Sequence, residues 1–272
     1  MKFCLRNRQI GEYLQKADEI KMEYRDHKSI PDEFEKYPDK PIIVQIPYHV
    51  EADWKSLELY KRMKPDNLIC CVSSEEDANI CKEKGIKFYY GYPITTYYEL
   101  RYWLEKGVCY VRLGAPLFFD LPTVAKIVGD TPIRAVANLS WYNTDPCNDP
   151  VIGTWIRPED LDAYANYIST IEFENCDNRK EQALYRIYAE QKNWPGDIAM
   201  IITNFNRPGL NRMIPPTFGE KRIQCGQRCQ SKGTCHFCEY TVKLADYDLI
   251  KSYKTEVLDA KKEEPLEEET SI

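Results

Sequence analysis

The chain has 272 residues, a formal net charge of -6 and 29% charged residues. It is long enough to bury a core without disulfides or metals, and with no global basic bias a broad electrostatic attraction to nucleic acid is not indicated, which leaves room for a local basic patch. No run approaches the ~18 apolar residues of a membrane-spanning helix, so no membrane association is expected. The opening MKFCLRNRQIGEYLQKADE has no apolar h-region, which predicts no signal peptide and a cytoplasmic location. In that reducing setting most of the eleven cysteines should be free thiols. Cys4, Cys70, Cys71, Cys81 and Cys109 stand in apolar runs and read as small buried hydrophobes.

In chain order, KFCLR (2–6) predicts a strand. Ile10, Tyr13, Leu14, Ala17, Ile20 and Tyr24 then follow at helical spacing. PIIVQIP (41–47) is the next strand, followed by a helix on Trp54, Leu57, Tyr60 and Met63. NLICCV (67–72) is a strand. Ser74 with Asp77 opens the helix that Gly85 stops. IKFYYG (86–91) is a strand, and Thr96 with Glu99 forms a capping box for the helix ending at Gly107. CYVRL (109–113), IRAVAN (133–138), a weaker GTWIR (153–157) and TIEFE (170–174) are the remaining strands. Helices are expected from Leu121 to Val128, from Pro158, and from Lys180 to Asn193. DIAMIITN (197–204) reads as an extra strand or as the true eighth, which would leave KFCLR outside the barrel.

Eight strands alternating with helices predict an α/β fold, a (β/α)8 TIM-like barrel over residues 1–204. A doubly wound open sheet is the alternative. Residues 205–256 read as a cysteine-rich extension with a C-terminal helix, and 257–272 as a disordered acidic tail. No G-x-G-x-x-G, P-loop, H-E-x-x-H or G-x-S-x-G occurs, so dinucleotide, P-loop, zincin and α/β-hydrolase readings lack support.

Helices cover the outside of a barrel, so the apolar alternate set on each strand should face out. That sends Phe3, Leu5, Ile42, Val44, Ile46, Val111, Leu113, Ile133, Ala135, Ile171 and Phe173 outward. It sends Arg6, Gln45, Arg112, Arg134, Asn138, Glu172 and Glu174 into the lumen. Three arginines against two glutamates read either as a structural ion network or as a polar pocket at the C-terminal mouth. In the second case Arg6, Arg112, Asn138 and Arg157 are the candidates for binding an anionic small molecule or RNA. His49, Glu172 and Glu174 are the catalytic candidates, as groups ending strands where barrel enzymes keep acids and bases.

CGQRCQSKGTCHFCEY places Cys225, Cys229, Cys235 and Cys238 at C-x3-C-x5-C-x2-C spacing. The segment has too few apolar residues to fold on its own, and a bound metal would substitute for a core. Zinc and a 4Fe-4S cluster both suit the spacing, with His236 as a possible replacement ligand. The segment is also a possible contact for a protein partner.

The R-P-E-D-L helix start at Arg157–Leu161, the I-E-F-E strand at Ile171–Glu174 and the downstream cysteine cluster together resemble the peptidase U32 family. The resemblance implies a barrel that bears cysteine ligands. Members range from collagenase-like proteins to iron–sulfur proteins that take part in hydroxylating RNA bases or quinone precursors. If the chain is an enzyme, the resemblance implies a hydroxylase, oxidoreductase or peptidase. The alternative is a non-catalytic scaffold or assembly protein, with lumen charges that are structural and a zinc knuckle that docks or assembles.

Overall fold

The computed structural model describes residues 1–8, 11–137, 154–174, 177–190 and 214–225. Its strands are β1 (Lys2–Arg6), β2 (Glu19–Glu23), β3 (Ile42–Gln45), β4 (Leu68–Val72), β5 (Lys87–Tyr90), β6 (Val111–Arg112), β7 (Ile133–Val136) and β8 (Ile168–Glu172). All seven neighbouring pairs are parallel, in the order β5-β4-β3-β2-β1-β8-β7-β6. The two edges curl towards each other. Cys109 N–H donates to the Phe88 carbonyl at 2.8 Å, and Ile94 bridges to Leu113. Gly114 N–H donates to the Ile94 carbonyl at 2.7 Å. A Cβ on Gly114 would lie 2.7 Å from Thr95 Cγ2, so glycine is what lets these two loops meet. The sheet is a nearly closed α/β barrel, not an open doubly wound one.

The helices behind it are α1 (Gly11–Lys16), α2 (Ile30–Lys36), α3 (Trp54–Met63), α4 (Glu75–Glu83), α5 (Tyr97–Lys106), α6 (Ala115–Phe118), α7 (Leu121–Val128), α8 (Leu161–Tyr164), α9 (Asn178–Ala189) and α10 (Phe218–Ile223). Local chemistry sets several boundaries. Ser74 Oγ accepts from the Asp77 amide, and Thr96 with Glu99 makes the reciprocal capping box. Gly85 and Gly107 both take positive φ where α4 and α5 end.

The facing rule holds on the strands it was applied to. Leu5, Ile42, Val44, Ile46, Val111, Leu113, Ile133, Ala135, Ile171 and Phe173 are buried in the large apolar layer between strands and helices, and Phe3 packs against it. Among the described residues the lumen has a small apolar cluster of its own: Cys4, Ile43, Ile69, Cys71 and Tyr89, flanked by Cys109 and Tyr110. Cys70 and Cys81 are buried on the helix side.

Two expectations are corrected. The helix expected through Ile20 and Tyr24 stops at Lys16, and Glu19–Glu23 is the second barrel strand. Ile20 and Met22 face the helices, while Glu19 and Lys21 face the lumen, so the alternation is real but its inner half is charged. GTWIR is not a barrel strand over its described residues 154–157. Trp155 and Ile156 are fully buried, but their carbonyls accept from Arg222 and the Tyr188 hydroxyl, not from a ladder. KFCLR is the first strand of the barrel, and 197–204 lie outside the described residues.

The start of the segment assigned to the extension packs on the barrel. Ile214, Phe218 and Ile223 join the outer apolar layer. Arg222 of α10 is fully buried, with its guanidinium 4.7 Å from the Trp155 ring and 4.9 Å from that of Phe119. Cation–π contact and the bond to the Trp155 carbonyl anchor α10 to the barrel wall. The acidic tail at 257–272 lies outside the described residues.

Candidate functional site

The lumen is built around three cations and three carboxylates. At its lower level Arg134 Nη1 donates to Glu19 Oε2 at 2.8 Å, and the Tyr110 hydroxyl donates to Glu19 Oε1 at 2.9 Å. The Arg134 guanidinium lies 4.7 Å from the Tyr110 ring and 5.2 Å from that of Tyr89. One level up, Lys21 Nζ donates to Glu172 Oε2 at 3.1 Å and reaches Glu174 Oε1 at 3.5 Å. Arg112 pairs with Glu174, donates to the Gly91 carbonyl at 2.7 Å, and faces Glu172 at 3.7 Å. Among the described residues the inner charges are therefore Lys21, Arg112 and Arg134 against Glu19, Glu172 and Glu174, which balance.

Pairing decides the protonation states. Burial opposes the Glu172 charge, but Lys21, Arg112 and Arg134 outweigh it and hold its carboxyl down at about 2. Glu174 is held below the usual carboxylate range against burial, by Arg112 and then Lys21. Lys21 lies above the ordinary lysine value, because Glu172 and other nearby negative groups overcome its burial. Both carboxylates and the ammonium are charged at neutral pH. Burial pushes the Cys71 thiol up, so it is no nucleophile there.

The network opens upward into a cleft of about 210 Å³ at the C-terminal ends of β1, β2, β3 and β8. Lys21, Gln45 and Glu174 form its floor and sides, and Arg6, Asn7, Arg8 and Glu23 its rim. Arg6 is steadied from behind: its amide and Nε donate to Glu181 of α9 at 3.0 and 2.9 Å.

The predicted residues divide among different places. Arg6 and Glu174 line the cleft, while Glu172 and Arg112 lie beneath it as its supporting pair. His49 is exposed on the loop after β3, at positive φ with its ring against Tyr48, and is not part of the cleft wall. Arg157 is buried elsewhere: Nε and Nη2 each donate to an Asp160 oxygen at 2.7 Å, and the guanidinium lies over Phe218. It fastens the start of α8 to α10. Asn138, Cys229, Cys235 and Cys238 lie outside the described residues. Cys225 follows α10, half-buried against the outer apolar layer. Among the described residues no three His, Cys, Asp or Glu groups converge as a metal site, and no helix is long and apolar enough to cross a membrane.

Sequence reasoning missed Lys21, Glu19 and Tyr110. Tyr110 had a signal, since it shares the parity of Arg112 in CYVRL. Lys21 and Glu19 had one only through the partner rule: three inward arginines required more carboxylate than two glutamates supply.

No protein-family model matches the chain, and no curated protein matches it. Twenty chains of solved structures do. One belongs to a cube-shaped, highly porous protein cage designed by fusing symmetric oligomeric domains. It is 11% identical, with a TM-score of 0.44, covering 96% of this chain and 85% of that one. A likeness at that level bears on neither family nor activity.

Proposed function

We propose that this protein is a barrel enzyme that binds a small anionic substrate in the C-terminal cleft, with a cysteine-ligated metal centre in the segment after α10. The observation that carries the first half is the placement of Lys21. Its ammonium is fixed between two carboxylates at the floor of a cleft that also carries Arg6 and Arg8. The described residues lining the cleft include three cations (Arg6, Arg8, Lys21) beside two carboxylates (Glu23, Glu174), so several charged donors reach an anion placed there. Lys21 donates hydrogen bonds to the bound anion there, and Glu174, held ionised by Arg112 and Lys21, accepts a proton or a hydroxyl hydrogen bond. The size favours a small molecule over a polymer.

Malonate is the probe for this reading. It should shift the backbone amide resonances of Lys21, Gln45 and Glu174. Lys21→Met should weaken its binding by roughly 10-fold or more, the loss of one charge-assisted hydrogen bond. No shift at those three amides in the native protein would end the reading.

The second half rests on Cys225, Cys229, Cys235 and Cys238. Cys225 fits a ligand held by the barrel, since α10 fixes the backbone just before it. Zinc there would supply Lewis acidity or order alone, and an iron–sulfur cluster would supply electron transfer. Anaerobically purified protein should carry either zinc without colour, or iron and sulfide with a brown colour. Cys235→Ala should lower the metal content while the barrel stays folded, because the barrel has its own core. Full metal retention in Cys235→Ala would remove that ligand and bring His236 forward.

One observation favours a second reading, a scaffold with a structural zinc knuckle. The three lumen cations and three lumen carboxylates neutralise one another, which is what a purely structural network does. Zinc without malonate binding would support it.

A further inference from the structure

The loops after β1 and β2 carry a second groove, of about 560 Å³, lined by Asn7, Arg8, Arg25, Asp26, Lys28 and Ser29. Asn7 and Arg8 line the cleft as well, so the two hollows adjoin at these residues. At their junction two guanidiniums converge on one atom. Glu23 Oε2 accepts from Arg8 Nη2 at 2.9 Å and from Arg25 Nε at 2.8 Å. Glu23 is 42% and Arg25 64% exposed, so burial does not hold them there, and exposed pairs of this kind bind weakly. Two guanidiniums sharing one anionic oxygen is the arrangement that receives a phosphoryl oxygen.

We propose that this groove is a phosphate subsite, and that Glu23 is an internal stand-in which an arriving phosphate displaces. Charge supports the class of ligand. With Glu23 swung away, Arg8, Arg25 and Lys28 face Asp26, three cations against one carboxylate. The surplus of two matches a dianionic phosphate. The inference rests on the reading of the mouth as an anion site and narrows it. The substrate is a small phosphomonoester, with its phosphate at Arg8, Arg25 and Lys28. The rest of it passes over Asn7 to Lys21, Gln45 and Glu174.

The experiment titrates inorganic phosphate, then glycerol phosphate, into the full chain at constant ionic strength, following backbone amide resonances. Phosphate should shift the amides of residues 25–29, and chloride should not. Glu23→Gln should tighten phosphate binding about 3- to 10-fold by removing the competing carboxylate. Arg25→Ala should weaken it roughly 10-fold or more. Glycerol phosphate should bind more tightly than phosphate and also shift Lys21, Gln45 and Glu174. The subsite is overturned if residues 25–29 do not respond, if chloride reproduces the response, or if Glu23→Gln leaves affinity unchanged or lower. It is also overturned as part of a bipartite site if glycerol phosphate binds no more tightly than phosphate. A malonate response at Lys21, Gln45 and Glu174 that survives any of these results would keep the cleft reading while the subsite falls.

Discussion

Arg134→Met is expected to destabilise the protein by about 3–5 kcal/mol, the cost of leaving a buried charge without its partner. Arg134 and Glu19 are both fully enclosed at the lower level of the lumen. Once the guanidinium is gone, the Tyr110 hydroxyl is the hydrogen-bond donor left to the Glu19 carboxylate, and one neutral donor does not offset the desolvation of an ion. The companion variant is Glu19→Leu with Arg134→Met. Replacing both ions by apolar groups of similar volume removes the uncompensated charge, so most of the lost stability should return. Urea unfolding of the single and double variants measures both effects. Equal stabilities of the two variants would mean that the lower lumen is wet and the pair is not buried.

A comparably large effect is expected in acid. Glu172 has an ordinary carboxyl value of 4.5 and is brought to about 2 in the folded protein. A carboxyl depressed on folding stabilises fully above its unfolded value and loses that contribution as pH falls toward its folded value. The window is therefore pH ~4.5 down to ~2, and the single-group contribution is about 3 kcal/mol. Glu174, depressed by Arg112 and Lys21, adds in the same direction. Glu172→Gln starts less stable because Lys21 and Arg112 lose a charged partner, but its stability should fall much less steeply across that window. Unfolding curves of native protein and Glu172→Gln at a series of pH values decide it. Parallel acid limbs would show that Glu172 does not carry the dependence.

The fold was legible wherever the outer half of a strand was strongly apolar. Ile42, Val44 and Ile46 mark β3, and Ile133 and Ala135 mark β7, because helices cover that face and only apolar side chains fit beneath them. β2 escaped because its outward pair, Ile20 and Met22, is flanked by Ala17 and Tyr24 at distances that also suit a helix. Its inward residues are charged, and only tertiary partners explain them: Lys21 meets Glu172, 151 positions away, and Glu19 meets Arg134, 115 away. GTWIR failed for the opposite reason. The Ile156 amide still donates to the Ala137 carbonyl just past β7 at 3.0 Å, but side chains from α9 and α10 take the Ile156 and Trp155 carbonyls, so the ladder goes no further. The cleft was half legible. Glu174, Gln45 and Arg6 follow from strand parity, whereas Arg8 sits in a loop where no periodicity speaks and Glu23 ends β2, the strand that was read as helix.

The barrel brings the two ends of its sheet-forming chain together, with β1 lying beside β8 and the Arg6 amide bonded to Glu181, 175 positions away. By contrast, β3 meets β4 across a single helix, in the register Ile42 to Leu68. Closing the longer loop costs roughly 1.5–2 kcal/mol more chain entropy than closing the shorter one. β2 to β5 pair over short sequence separations, so the β1–β8 seam is expected to form after them. Lys21 and Gln45 come from the early block, whereas Glu174 arrives only with β8. A cleft that needs Lys21, Gln45 and Glu174 together is complete only with β8 in place, so a molecule that binds it would stabilise the closed barrel over any form lacking that seam.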